Sequence, residues 1–332
     1  MFRLVHRLRW LVLVVLLAAL GGCSAEPPFS RIVSFGDSLS DVGSYRPAAA
    51  AFGGGRFTVN GAGPRIWTEW LAADLELTIA PALSGGVTLT TPQFAAFPVV
   101  AGNGDSWAQG GARVDAPAVS LTPGVQLAAL SVRQQVDHFL AGPVASASGS
   151  LFLLNGGGND IGFLGQAVLA GAISPDQARA GVVAAAQQMA AQARRLQALG
   201  PVVLLNQADG AQSPVAAASA PVRALYQDLT PRFNAALAAA LEGSSVMVVD
   251  QFTFSRRVVA DPAAFGLNNV TDPACALDRL PIRSAIVCSD ATLVAAGAAQ
   301  TSLWADTLHT TPAYHRHLAT QVLAVLRAAG RL

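Results

Sequence analysis

Ser38 stands in Phe35-Gly36-Asp37-Ser38-Leu39-Ser40-Asp41, directly after a short apolar run. Near the other end of the chain, Asp306 precedes His309 by three residues in Trp304-Ala305-Asp306-Thr307-Leu308-His309. Together these residue types suit one chemistry. A serine hydroxyl is a weak nucleophile until a base takes its proton, and imidazole suits that task near neutral pH. A carboxylate on the near ring nitrogen fixes the tautomer that leaves the far nitrogen free to act. An Asp three residues before a His can reach that near nitrogen. Acyl transfer also needs N–H donors for the oxyanion. Asn155-Gly156-Gly157-Gly158-Asn159-Asp160 offers glycines that let backbone approach a ligand closely, and in Asn159 an amide that can donate. Ser106-Trp107-Ala108-Gln109-Gly110-Gly111-Ala112 offers a glycine pair with unobstructed N–H groups.

Each block also has a plainer reading. Ser38 reads equally as a helix N-cap, Gly110-Gly111 as an ordinary turn, and Asp306 with His309 as an incidental loop pair. Asp160 is best read as a helix cap, and Asn159 as a donor to substrate.

These groups must be brought together by the elements around them. Arg31–Phe35 reads as a buried strand, as do the short apolar runs Leu151–Leu154, Val202–Leu205 and Val246–Val249. Helical patterns lie between them, over Ile66–Leu75, Val125–Leu140, Ser174–Leu199 and Val222–Leu241, with a last one from Thr311 toward Ala329. In Ser174-Pro175-Asp176-Gln177 the serine is an N-cap and Gln177 closes a capping box, while Gly200 is the stop. Alternating strands and helices predict an α/β fold with a mostly parallel sheet. Ligands of such sheets bind beyond the carboxyl ends of the strands, where Ser38 and Asn159 fall. A further strand is expected within residues 87–102, and no linker divides residues 31–332.

The four blocks appear in an order that resembles the GDSL/SGNH hydrolases, in the branch that holds bacterial esterases and phospholipase-like enzymes. Residues 35–41 resemble the first block of that family, residues 108–112 its glycine block, Gly157-Gly158-Asn159-Asp160 its G-x-N-D block and residues 306–309 its D-x-x-H block. The resemblance implies a three-layer α/β/α sandwich of flavodoxin-like type around a five-stranded sheet. It also implies a Ser38–His309–Asp306 triad, and an oxyanion hole from the Ser38 N–H, the Gly111 N–H (Gly110 as the fallback) and the Asn159 side chain. Ser106 stands where many relatives have Asn. No metal or cofactor is implied. The expected reaction is hydrolysis of lipid-like or short-chain acyl esters through an acyl-enzyme. The same triad would serve a carbohydrate O-acyl esterase or an acyltransferase, and a non-catalytic surface-binding protein is the rival from another class. No serine lies in a Gly-x-Ser-x-Gly elbow, which argues against an α/β-hydrolase.

Composition narrows the partners and the compartment. Arg3, Arg7 and Arg9 precede the apolar run Trp10–Leu20, which is short for a membrane span but suits an export signal. Leu20-Gly21-Gly22-Cys23 then resembles the lipobox of bacterial lipoproteins, with a plain secretory signal as the alternative. The expected division is a signal over 1–22, an anchor and linker over 23–30 with Cys23 lipidated, and a hydrolase domain over 31–332. The expected location is membrane-anchored, on the periplasmic face of the outer membrane or at the cell surface. Three of the 21 basic residues and none of the 20 acidic ones lie in residues 1–22, so the remainder is slightly acidic. That balance gives no footprint for nucleic acid. Cys275 and Cys288 remain. In an oxidising compartment a disulfide is the default reading, and a metal site is weaker because no histidine lies nearby at ligand spacing. His315 and His317, two apart on one helix, face different sides.

Overall fold

In a computed structural model of the chain, residues 28–89, 96–121, 125–142 and 149–332 are described. The expected signal over residues 1–22 and Cys23 lie outside them. Four apolar runs form one parallel sheet: β1 (Arg31–Phe35), β2 (Ser150–Leu154), β3 (Val202–Leu205) and β4 (Met247–Val249), side by side in that order. β1 and β2 pair in register along their whole length.

The inner strands β2 and β3 are buried on both faces because helices cover both, and successive residues feed opposite cores. Ile32, Leu151, Leu153, Val203 and Leu205 pack toward α1 (Trp67–Asp74), α6 (Gln251–Ala260) and α7 (Pro312–Ala328). Val33, Phe35, Phe152, Leu154 and Leu204 pack toward α2 (Val132–Ala141), α3 (Gly158–Leu169), α4 (Pro175–Gln197) and α5 (Ala220–Leu241). The result is a three-layer α/β/α sandwich.

The fifth strand is not within 87–102. Its place beside β1 is taken by residues 105–107, reduced to a single parallel bridge between Ser34 and Ser106. Ser34 N–H donates to the Asp105 carbonyl at 3.0 Å, and Trp107 N–H to the Ser34 carbonyl at 2.8 Å. With that bridge the order is flavodoxin-like. Ser106 is also held from its far side, where its N–H donates to Ala80 at 2.9 Å and its carbonyl accepts from Ala82 at 2.7 Å. Short pieces at Val87–Leu89, Ala96–Phe97 and Val100–Ala101 instead make small antiparallel pairings.

The helix expected over Val125–Leu140 is split. Val125–Leu127 joins one of those pairings, and the helix begins only after Ser131, whose hydroxyl accepts the Gln134 N–H. α4 starts as expected, with Ser174 accepting the Gln177 N–H at 3.2 Å and Gln177 Oε1 accepting the Ser174 N–H at 2.7 Å. It ends at Gln197, before the expected stop. Cys275 and Cys288 are joined in a disulfide.

Candidate active site

Ser38 lies at the carboxyl end of β1 in a turn; no helix starts there, and the Ser40 N–H closes the turn on the Asp37 carbonyl at 3.1 Å. The turn is held from every side. Gln135 of α2 brackets Gly36, donating to its carbonyl at 2.9 Å and accepting from its N–H at 2.8 Å. A Cβ at Gly36 would lie 2.1 Å from Asn155 Oδ1, so the chains meet there only because the residue is glycine. Asp37 is buried, and its Oδ1 accepts the Leu39 N–H at 3.0 Å and the Asn155 amide at 2.6 Å. Burial raises its pKa, and those bonds only partly offset the effect. Ser40 donates to Asn155 and accepts from Trp67 Nε1 at 3.0 Å.

Asp306 and His309 form a turn of their own. Asp306 Oδ1 accepts the backbone N–H of Leu308 at 2.8 Å and of His309 at 2.7 Å, and this local closure makes the three-residue spacing productive. His309 Nδ1 sits 2.8 Å from Asp306 Oδ2, and Nε2 sits 3.1 Å from Ser38 Oγ. The Phe57 ring lies against the imidazole, with centroids 5.0 Å apart. Hydroxyl, imidazole and carboxylate therefore form one hydrogen-bonded line. Burial by itself would raise the pKa of Asp306, but the charge of His309 and the N–H groups of His309 and Ala285 outweigh it and hold the carboxyl below its ordinary value. Burial would lower the pKa of His309, but Asp306 and then the charge of Asp37 outweigh it and hold the imidazole above its ordinary value.

Asn159, in the first turn of α3, lines the same cavity as Ser38 and His309, and its amide donates one N–H to the Ala112 carbonyl at 3.0 Å. Gly111 adopts φ +79°, and its carbonyl accepts from Val119 at 3.0 Å. It is not among the residues lining that cavity. Among the described residues its own N–H meets no acceptor, whereas the Gly110 N–H is taken by Asp41 Oδ2 at 2.9 Å.

Asp160 does not cap a helix as expected, and both it and Asp41 join separate segments instead. Asp41 also binds the N–H groups of Gly43 and Ser44, and so ties the serine turn to the glycine block. Asp160 accepts the Val114 N–H at 2.9 Å and pairs with Arg113, tying α3 to the same block. The sequence reading missed Gln135, Asn155 and Phe57, because no spacing rule marks a side chain that crosses from another element. His315 is buried and His317 bonds the Phe265 carbonyl, so the two do face different sides. His138 is exposed, and Trp67 belongs to the core.

A second hollow adjoins the first. It runs between α3 and α5, is lined by Gly162, Gly165, Val222 and Leu225 among others, and reaches Asp306, Leu308 and His309.

A search of protein families matches residues 32–322 to GDSL-like Lipase/Acylhydrolase. Among curated proteins, the phosphatidylcholine-sterol acyltransferase of Aeromonas hydrophila is 41% identical over 90 residues, 24% of this chain and 26% of that protein. The chain thus matches about a quarter of that relative's length. Among solved structures, an acetylxylan esterase from Geobacillus stearothermophilus aligns over 89% of this chain and 93% of its own, at 13% identity and a TM-score of 0.43. A G-D-S-L lipolytic protein from Veillonella parvula aligns over 90% and 98%, at 13% identity and a TM-score of 0.41. At that distance neither structure bears on substrate. The family match covers both ends of the hydrogen-bonded line and nearly everything between, and the chain belongs to the GDSL-like lipase/acylhydrolase family.

Proposed function

We propose that the protein hydrolyses carboxylic acyl esters through an acyl-enzyme on Ser38. The observation that carries this reading is the unbroken line from Ser38 Oγ through the His309 ring to Asp306, at 3.1 and 2.8 Å. His309 takes the hydroxyl proton as Ser38 attacks the carbonyl carbon, and returns it to the leaving alcohol. Asp306 holds the imidazole and stabilises its charged form. The Ser38 N–H and the Asn159 amide receive the oxyanion. Water, deprotonated by His309, then releases the acid and restores Ser38.

The test is covalent labelling. A fluorophosphonate probe should label the parent protein and not Ser38→Ala, and the same substitution should abolish hydrolysis of p-nitrophenyl acetate and butanoate. An unlabelled parent that cleaves no ester would overturn the reading.

Acyl transfer to an alcohol is the second reading, favoured by the match to an acyltransferase. Ester product formed when an alcohol is added would distinguish it from hydrolysis alone. We further propose that Cys23 carries a lipid anchor, since the order of residues 20–23 supports it. Detergent-phase partitioning of the mature protein, lost in Cys23→Ser, would be the expected result.

A further inference from the structure

Gly158 opens α3, and its missing side chain leaves a gap in the wall of the cavity that holds Ser38. Outside its chain neighbours and its own helix, only two atoms lie within 4 Å of the point where a Cβ would sit: Gln207 Oε1 at 3.0 Å and Asp37 Oδ2 at 4.0 Å. Both are acceptors, and each is held in place by the other half of its own group. Asp37 Oδ1 takes the Leu39 N–H and the Asn155 amide, which leaves Oδ2 to the gap. Gln207 donates its amide to the Gly156 carbonyl at 2.8 Å, and Asn234 of α5 brackets its backbone N–H and carbonyl, each at 2.8 Å. Among the described residues, neither Asp37 Oδ2 nor Gln207 Oε1 meets a donor from another residue. One turn before Asn234, on the same face of α5, Thr230 lines the same cavity. It is 1% exposed, and its hydroxyl has no partner among the described residues. Much of the remaining wall is apolar, from Leu39, Phe57, Ile161, Leu303 and Leu308.

We infer that this corner binds a free hydroxyl group on the alcohol part of the substrate, so that the protein selects acyl esters of polyhydric alcohols. The inference rests on the esterase reading given above. Two oriented acceptors without a donor, one of them a carboxylate, are costly beside apolar walls. A substrate hydroxyl supplies the donor they lack, and Thr230 offers a further hydroxyl of such an alcohol a partner in the same cavity. An unsubstituted acyl chain carries no donor, whereas an alcohol with a second hydroxyl does. A site built to hydrogen-bond a substrate hydroxyl also rejects analogues that lack it, because its own polar groups are then left unpaired.

The test compares 2-hydroxyethyl butanoate with 2-methoxyethyl butanoate, which keeps the second oxygen and its inductive pull but removes the donor. The parent should favour the hydroxyl ester by about tenfold or more in kcat/KM. Gly158→Ser puts a hydroxyl of the protein's own into the gap and exchanges glycine for a better helix former. Its rates on the two esters should fall within about twofold of each other, since the two acceptors are then already served. Gln207→Met removes one acceptor, and the preference should drop by about threefold or more, with folding checked by circular dichroism. Equal rates on the two esters in the parent, or a parent preference kept by both folded variants, would overturn the inference while leaving the esterase reading intact. So would a preference that follows a hydroxyl on the acid, read from ethyl 3-hydroxybutanoate against ethyl butanoate, and not one on the alcohol. Absence of both labelling and hydrolysis would sink both readings together.

Discussion

The backbone N–H of Ala285 donates to Asp306 Oδ2 at 2.7 Å, and Ala285 lies inside the loop that the Cys275–Cys288 disulfide closes. The same oxygen faces His309 Nδ1. A covalent link therefore steadies the carboxylate that faces the His309 ring. Asn60 adds to this by donating from its side chain to the Ala285 and Cys288 carbonyls, at 3.2 and 3.0 Å.

Cys275→Ser/Cys288→Ser should destabilise the protein by about 2–5 kcal/mol, as removal of a native disulfide usually does. Below its lowered Tm the folded variant should keep KM and lose kcat severalfold, because Asp306 is less firmly held. Thermal unfolding followed by circular dichroism, with kinetics on p-nitrophenyl butanoate, gives both readings. An unchanged kcat would separate the loop from catalysis.

The pH profile has a definite sign. In the proposed mechanism His309 must be neutral to accept the Ser38 proton, and its partners hold its pKa above the ordinary histidine value. kcat/KM should therefore rise with pH through a midpoint above about 6.5. Asp306→Asn removes the main raising influence, so the midpoint should move down while the rate falls by orders of magnitude. A midpoint at or below 6.5 in the parent would contradict the arrangement.

His315 should behave in the opposite way. Burial, and then the nearby charge of His309, push its pKa down to about 3. Trp67 N–H donates to its Nδ1 at 3.3 Å, which places the proton on Nε2, facing Thr310 Oγ1 at 3.4 Å. NMR of the imidazole rings should show no titration of His315 between pH 5 and 8, with Nδ1 unprotonated throughout.

Asn159→Ala should cost on the order of 100- to 1000-fold in kcat with little change in KM, as expected for a donor used mainly in the transition state. Equal losses on substrate binding and turnover would point to collapse of the Ala112 contact instead.

Gln135→Leu tests the support beneath the nucleophile. It leaves the buried N–H of Gly36 unpaired, while the Gly36 carbonyl keeps the Gln109 N–H at 3.0 Å, so the cost should be about 1–3 kcal/mol. Fluorophosphonate labelling of Ser38 should slow in the variant even where the protein remains folded. Labelling at the parent rate would show that the turn holds its shape without the bracket.

The parts of this molecule legible in sequence are the parts built locally. β1, the capping box at Ser174 and the Asp306–His309 turn each depend on residues within one short segment. The four apolar runs announced a parallel sheet because burial on both faces leaves few polar residues within them. The edge position at Ser106 left no such trace: a single bridge needs no run of β-favouring residues, and the segment around it is set by contacts with residues 80–82. Val125–Leu127 misled because three apolar-polar positions fit a strand and a helix equally well. Gln135, Asn155 and Ala285 act across 99, 118 and 21 residues respectively. Their roles appear only when the layers are assembled.

Ser38 and His309 are 271 residues apart. Ser38 is synthesised long before His309, which lies just ahead of α7. Under the proposed mechanism, a growing or clipped chain that stops short of residue 309 has no base for Ser38, so hydrolytic capacity waits on synthesis of the segment that carries His309.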